Sequence, residues 1–150
     1  MRGDPLRVLV VEDEPLLRWA ISETLSMSGA IVSLAGDAAT ALQALTAATP
    51  AVDIVLLDLC LPDSHDLALL STIRRRWPDI AVVIMTADVA PEVLEGAHGL
   101  GVETILAKPF DLDGLPATLD ALLTVSHPVE GDRTGLSPAR SRSRTLRQSR

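Results

Sequence analysis

Apolar residues along the first 125 positions follow two alternating periods. Short runs rich in Val, Ile and Leu recur at Leu6–Val11, Ala30–Leu34, Asp53–Leu57, Ile80–Met85 and Val102–Leu106. They are apolar throughout, the pattern of strands buried on both faces of a parallel sheet. Between them the spacing turns helical. Leu16, Leu17, Ala20, Ile21, Thr24 and Leu25 mark a first apolar face, and Ala38, Ala41, Leu42 and Leu45 a second. Leu67, Leu70, Ile73 and Trp77 mark a third, and Leu112, Leu115, Leu119, Leu122 and Leu123 a fifth. A fourth helix, about Pro91–His98, is short and weakly periodic. Five strand–helix alternations predict a doubly wound α/β fold with right-handed crossovers.

Local punctuation agrees with these limits. Gly29 suits the residue after the first helix, Asp37 can cap the second, and Pro78 stops the third. Pro91 fits the first turn of the fourth, with Glu92 and Glu95 favouring its N-terminal half.

Polar residues stand where the apolar runs stop. Val8–Val11 ends in Glu12-Asp13-Glu14, Ile54–Leu57 in Asp58, Val82–Met85 in Thr86, and Ile105–Ala107 in Lys108. Open parallel sheets bind ligands beyond the carboxyl ends of their strands, where strand order reverses. Carboxylates, one hydroxyl and one ammonium are thus expected at one edge. Glu12, Asp13 and Asp58 packed together repel, so a proton or a cation must join them. All-oxygen donors without His or Cys favour a hard divalent ion, of which partly hydrated Mg²⁺ is the natural choice. Beside it, Asp58 is placed to attack a phosphoryl group while Lys108 and Thr86 neutralise phosphoryl oxygens.

The blander readings are set against that site. The acidic triplet could simply cap a helix, and an acid after IVLL is costly to bury unless paired or ligating. Cys60 reads as a small buried or half-buried residue. Ser64, His65 and Asp66 are sequence neighbours that cannot easily converge as a triad. Gly96, Gly99 and Gly101 read as a helix end and turn.

Composition adds limits. Of 150 residues only Trp19, Trp77 and Phe110 are aromatic, so Leu, Val, Ile and Ala must fill the core. The single cysteine leaves no internal disulfide and no Cys-rich metal site. No apolar run approaches the roughly 20 residues of a membrane span, and the opening MRGDPLRVLV has no long apolar segment, so a cytoplasmic location is expected. The net charge of −7 hides a division: residues 1–125 carry 18 acids and 7 bases, residues 126–150 carry 2 acids and 6 arginines. That second segment has too little apolar surface to offset chain entropy and is expected to be a disordered tail. No aromatic interleaves its arginines, so a nucleic-acid partner gains no stacking support.

The motifs VLVVEDEP, VDIVLLDLCLP, VVIMTAD and ILAKPF, in this order, closely resemble the receiver domain of bacterial two-component response regulators across about residues 6–125. The resemblance implies a five-stranded sheet of order 2-1-3-4-5 with five helices, and a receiver at 1–125 followed by the tail at 126–150. It implies that a histidine kinase or histidine phosphotransfer protein donates a phosphoryl group to Asp58. Glu12, Asp13, Asp58 and the backbone carbonyl at Cys60 would hold Mg²⁺, Thr86 would bond the phosphoryl oxygen, and Lys108 would pair with it. A cis Lys108–Pro109 peptide is also expected.

Two positions depart from the family. Ile105 stands where Tyr or Phe commonly swings inward on activation, and His65-Asp66 replaces the usual Asp-Gly or Asn-Gly turn. Output is expected through binding of a downstream protein, since no effector domain fits in 25 residues, with a homodimer through the fourth-helix to fifth-helix face as a further partner. Two rivals remain. An Asp-nucleophile phosphatase of haloacid dehalogenase type wants a second acid at position 60, which is Cys. A phosphorylation-independent pseudo-receiver sits poorly with the intact Asp13, Asp58, Thr86 and Lys108.

Overall fold

The computed structural model describes residues 4–65, 67–87 and 90–126. The chain divides into two units, Met1–Leu119 and Asp120–Arg150. Within the second, the described residues Asp120–Ser126 form the last part of a helix. The remainder of the basic segment, and Asp66 at the expected turn, lie outside the described residues.

In the first unit, β1 (Arg7–Val11), β2 (Ile31–Ala35), β3 (Ile54–Asp58), β4 (Ala81–Thr86) and β5 (Thr104–Ala107) form one parallel sheet. Their order is β2-β1-β3-β4-β5. Helices α1 (Pro15–Met27), α2 (Ala38–Ala47), α3 (Ala68–Arg76), α4 (Pro91–Gly99) and α5 (Leu115–Ser126) alternate with them. A two-stranded antiparallel hairpin, Cys60–Leu61 against Ser64–His65, follows β3. Both the doubly wound fold and its strand order match the sequence reading.

The alternating sides of the strands explain the layers. Leu9, Val11, Val55, Leu57, Val82 and Ile84 join one buried cluster with Ala41 and Leu45 of α2, Leu70 and Ile73 of α3, and Ala97 of α4. The intervening residues Val8, Val10, Ile54, Leu56, Val83 and Met85 face the other side and are equally buried, as are Ile21 and Leu25 of α1. Each fully buried Leu or Ile stabilises the fold by about 2 kcal/mol relative to exposure.

Two expectations require correction. Neither β2 nor β5 is buried on both faces: Ile31 and Leu34 are 41% and 44% exposed, and in β5 Thr104, Ile105 and Leu106 are half-buried and Ala107 is exposed. Both are edge strands, each paired among the described residues with a single neighbour, β1 or β4. Leu16 is not on the inner face of α1 either; it is 75% exposed, beside the exposed Trp19. Burial is carried by Ile21 and Leu25, one turn apart.

The punctuation is as expected. Gly29 has φ +99°, a left-handed conformation that other residues enter at a cost. Asp37 accepts a hydrogen bond from Thr40 N at 2.8 Å, and Pro91 opens α4. Trp77 ends α3 immediately before Pro78.

Candidate functional site

Three consecutive acids follow β1, and the backbone gives each a different environment. Glu12 is 1% exposed, whereas Asp13 and Glu14 face solvent. Glu14 takes the capping role: its Oε1 accepts from Leu17 N at 2.7 Å. Capping therefore accounts for one acid of the three, not for the buried one.

Glu12 meets groups from distant strands. Lys108, just beyond β5, donates from Nζ to Glu12 Oε1 at 2.8 Å and to Asp58 Oδ2 at 3.1 Å. Glu12 Oε2 accepts from Glu14 N at 3.1 Å. Asp58, the last residue of β3, is 6% exposed, and its Oδ1 accepts from Cys60 N at 2.9 Å. Thr86 closes β4, buried, and its carbonyl accepts from Lys108 N at 2.7 Å. The Lys108–Pro109 peptide is cis. All these groups lie at the carboxyl edge of the sheet, beside the reversal of strand order between β1 and β3.

Carboxylate oxygens of Glu12, Asp13 and Asp58 lie within 4.8 Å of one another. One ammonium faces three carboxylates, so the pocket is short of positive charge. At 4 Å, two like charges repel by about 4 kcal/mol at an effective dielectric of 20. Ligand oxygens around a small hard dication stand about 2.1 Å from it, and opposite ones about 4.2 Å apart. The three donors therefore fit such an ion by both chemistry and spacing. Cys60 was expected to be buried or half-buried and is instead exposed. Leu59 and Leu61 turn inward on either side of it, so strand alternation turns its thiol outward. That thiol is not part of the acidic cluster.

Burial is the strongest influence on Glu12 and raises its pKa above 4.5; the Asp58 charge adds to the rise, against hydrogen bonds from Lys108 and Glu14 N–H. The pKa of Lys108 is raised too: burial lowers it, but its bonds and charge interactions with Glu12 and Asp58 prevail. The two shifts act on stability in one direction. Each folded state binds a proton more tightly than the unfolded chain, so stability is fullest below the unfolded pKa and declines as pH rises through the folded one. Glu12 acts in the window just above 4.5, and Lys108 above 10.5. Without divalent cations, Glu12→Gln is expected to gain stability relative to wild type as pH rises through the Glu12 window. Urea denaturation of both proteins from acid to neutral pH checks this; a difference independent of pH would contradict it.

Two residues escaped the sequence reading. Asp63, in the turn of the hairpin, accepts from Ala38 N at 2.7 Å and Ala39 N at 3.0 Å. It thereby ties the segment after Asp58 to the N-terminus of α2, where a carboxylate is favoured. Its partners lie 24 and 25 residues away in sequence, so only a turn signal was visible. Asp63→Ala is expected to cost about 1–2 kcal/mol, the range for a lost helix cap. Equilibrium denaturation within a few tenths of a kcal/mol of wild type, roughly the scatter for surface substitutions, would refute that. The second is Arg18 of α1, whose Nη1 donates to the carbonyl of Glu12 at 2.8 Å.

Ile105 is half-buried and packs against the core cluster, beside Ile84 in register. The position of the usual aromatic is therefore filled by aliphatic packing.

The fold and pocket together define a class: a doubly wound α/β domain with an acidic, lysine-bridged pocket at its switch point. More narrowly, the chain belongs to the response regulator receiver domain family, whose model matches residues 8–120. It is 36% identical over 121 residues to the probable transcriptional regulatory protein TcrX of Mycobacterium tuberculosis, covering 81% of this chain and 51% of TcrX. It is 33% identical over 117 residues to the DNA-binding transcriptional regulator NtrC of Escherichia coli K12, covering 78% of this chain and 24% of NtrC. The chain thus spans about half the length of one relative and a quarter of the other. Among solved structures, the chemotaxis response regulator CheY4 of Vibrio cholerae superposes with TM-score 0.72 at 26% identity, over 79% of this chain and 99% of that one. Among the described residues, no helix is long and apolar enough to cross a membrane.

Proposed function

We propose that the domain is a phosphorelay receiver in which Asp58 accepts a phosphoryl group from the phosphohistidine of a histidine kinase or phosphotransfer protein. The observation that carries this reading is the buried Asp58 carboxylate, fixed by Cys60 N–H on one oxygen and by Lys108 on the other. A carboxylate oxygen attacks phosphorus as the phosphorus–nitrogen bond to the donor imidazole breaks, and the imidazole leaves with that electron pair. Asp58 then carries an acyl phosphate. Lys108 supplies an ammonium and Thr86 a hydroxyl to the phosphoryl oxygens.

Glu12, Asp13, Asp58 and the carbonyl at Cys60 would hold Mg²⁺. When bound, Mg²⁺ supplies charge neutralisation at the phosphoryl oxygens.

Signalling runs through altered binding of a downstream protein, with a homodimer through the α4-to-α5 face as one arrangement. A new dianion biases such an equilibrium only through contacts that differ between the two states. With Ile105 in place of an aromatic, those contacts involve aliphatic packing. Residues 1–125 act as the receiver in this reading, and 126–150 as a basic appendage outside it.

The test is incubation with a small acyl phosphate and Mg²⁺, followed by intact-mass measurement. One phosphoryl adduct per chain, absent when the cation is chelated before the acyl phosphate is added and mapped to the peptide holding Asp58, is expected. Absence of the adduct would leave a pseudo-receiver, and sustained turnover of phosphate esters would favour the phosphatase.

A further inference from the structure

Arg18 reads in sequence as an ordinary helix arginine between Leu17 and Trp19. In the fold it is half-buried, and its guanidinium reaches back along α1 to the carbonyl of Glu12, with Nη1 at 2.8 Å. Helical side chains lean toward the N-terminus, which gives Arg18 that direction. A second feature makes room for it. A Cβ at Gly36, in the link between β2 and α2, would lie 3.0 Å from Arg18 Nη1 and 3.8 Å from Cζ. Gly36 leaves open the space through which the guanidinium reaches Glu12.

The other polar groups of Glu12 are already committed. Its N–H donates to Ala35 O at 3.0 Å, Oε1 accepts from Lys108, and Oε2 accepts from Glu14 N. Arg18 secures the remaining carbonyl. That carbonyl shares a rigid plane with the Asp13 N–H, so holding it fixes the start of the Asp13 residue. Asp13 is solvent-exposed, and its carboxylate must join those of Glu12 and Asp58 within 4.8 Å. Exposure gives no packing to direct it; the backbone must.

We propose that Arg18, seated over Gly36, is a positioning residue that orients the Glu12–Asp13 peptide so that the acidic cluster is preorganised for its divalent cation. This rests on the reading that the cluster binds Mg²⁺. Arg18 touches neither cation nor phosphoryl group. It sets Mg²⁺ affinity through the main chain, as outer partners of ligating groups do.

The test is calorimetric titration of the unphosphorylated full chain with Mg²⁺, with amide spectra of Glu12 and Asp13 recorded in parallel. Arg18→Ala is expected to weaken Mg²⁺ binding about tenfold, at the lower end for loss of such a partner, and to shift both amides. Arg18→Lys should recover part of the affinity. Gly36→Ala keeps the arginine and its charge and asks its flexible tip to move by only a small fraction of a bond length, so it should weaken binding less than Arg18→Ala does. The double variant Arg18→Ala/Gly36→Ala should bind no more weakly than Arg18→Ala alone, because both changes act on one interaction.

Wild-type Mg²⁺ affinity in Arg18→Ala, with or without a lower melting temperature, would overturn the proposal while leaving the cation site intact. If Arg18→Ala fails to fold, wild-type affinity in Arg18→Met, which keeps the stem of the side chain and lacks the donor, overturns it instead. Failure of the wild-type chain to bind Mg²⁺ would overturn the cation reading and this proposal with it.

Discussion

Asp58→Asn is expected to abolish the phosphoryl adduct while leaving the fold intact. Asparagine matches aspartate in shape, and its carbonyl can still accept from Cys60 N–H or from Lys108 Nζ, though not with two full carboxylate oxygens. What disappears is the nucleophile: an amide oxygen has neither the charge nor the basicity to displace a phosphoryl leaving group. The substitution also removes a negative charge from a pocket where Glu12, Asp13 and Asp58 already crowd together. Folding stability without Mg²⁺ should therefore hold or rise. Intact mass after treatment with a small acyl phosphate and Mg²⁺ reads the first effect, and thermal melting the second. An adduct formed equally on the variant would place phosphorylation at another residue and end the proposed role of Asp58.

Lys108→Met is the complementary experiment, and its effects differ in kind. Lys108 bridges Glu12 and Asp58 with its own side chain only 20% exposed, and the carboxylates are more deeply buried still. Removing one member of a buried ion pair typically costs 3–5 kcal/mol, because the other is left unpaired. Here Glu12 can take up a proton in compensation, its pKa already being raised by burial. A loss of about 2–3 kcal/mol at neutral pH without divalent cations is therefore expected. Two further results distinguish this from loss of packing. Lowering the pH should restore stability, since protonated carboxylates need no ammonium. Mg²⁺ should bind the variant more tightly than wild type, because no ammonium competes for Glu12 and Asp58, and should stabilise it by linkage. Urea denaturation at several pH values and Mg²⁺ concentrations measures both. Equal loss under all conditions would show that Lys108 acts through packing alone. The direction of the Mg²⁺ effect is opposite to that for Arg18→Ala, so the direct and backbone-mediated roles separate in one assay.

The site was legible where a local rule sufficed. Residues that end apolar runs must lie at strand termini, and in a parallel sheet equivalent termini share an edge; Glu12, Asp58, Thr86 and Lys108 followed from that alone. Legibility failed where a residue's environment depends on remote chain. Leu16 has helical spacing consistent with burial, yet it is exposed while Ile21 and Leu25 carry the contact. Cys60 reads as a small buried or half-buried residue, but alternation along Leu59–Leu61 turns it outward. Asp63 was not singled out in the sequence, because its role at the N-terminus of α2 exists only once two loops meet.

Short-range physics is written in the sequence: which segments are apolar enough to be strands, where helices are capped, and which chemical groups stand at strand ends. That much determined the doubly wound fold and the composition of the pocket. Only the tertiary structure decided how the groups share their charges. It buried Glu12 rather than its neighbours Asp13 and Glu14, and brought Lys108 to within 3.1 Å of carboxylates 50 and 96 residues away. It also seated Arg18 over Gly36. The reason is that burial and ion pairing depend on distance through space, and that distance is set when crossover connections bring strands from separate parts of the chain side by side.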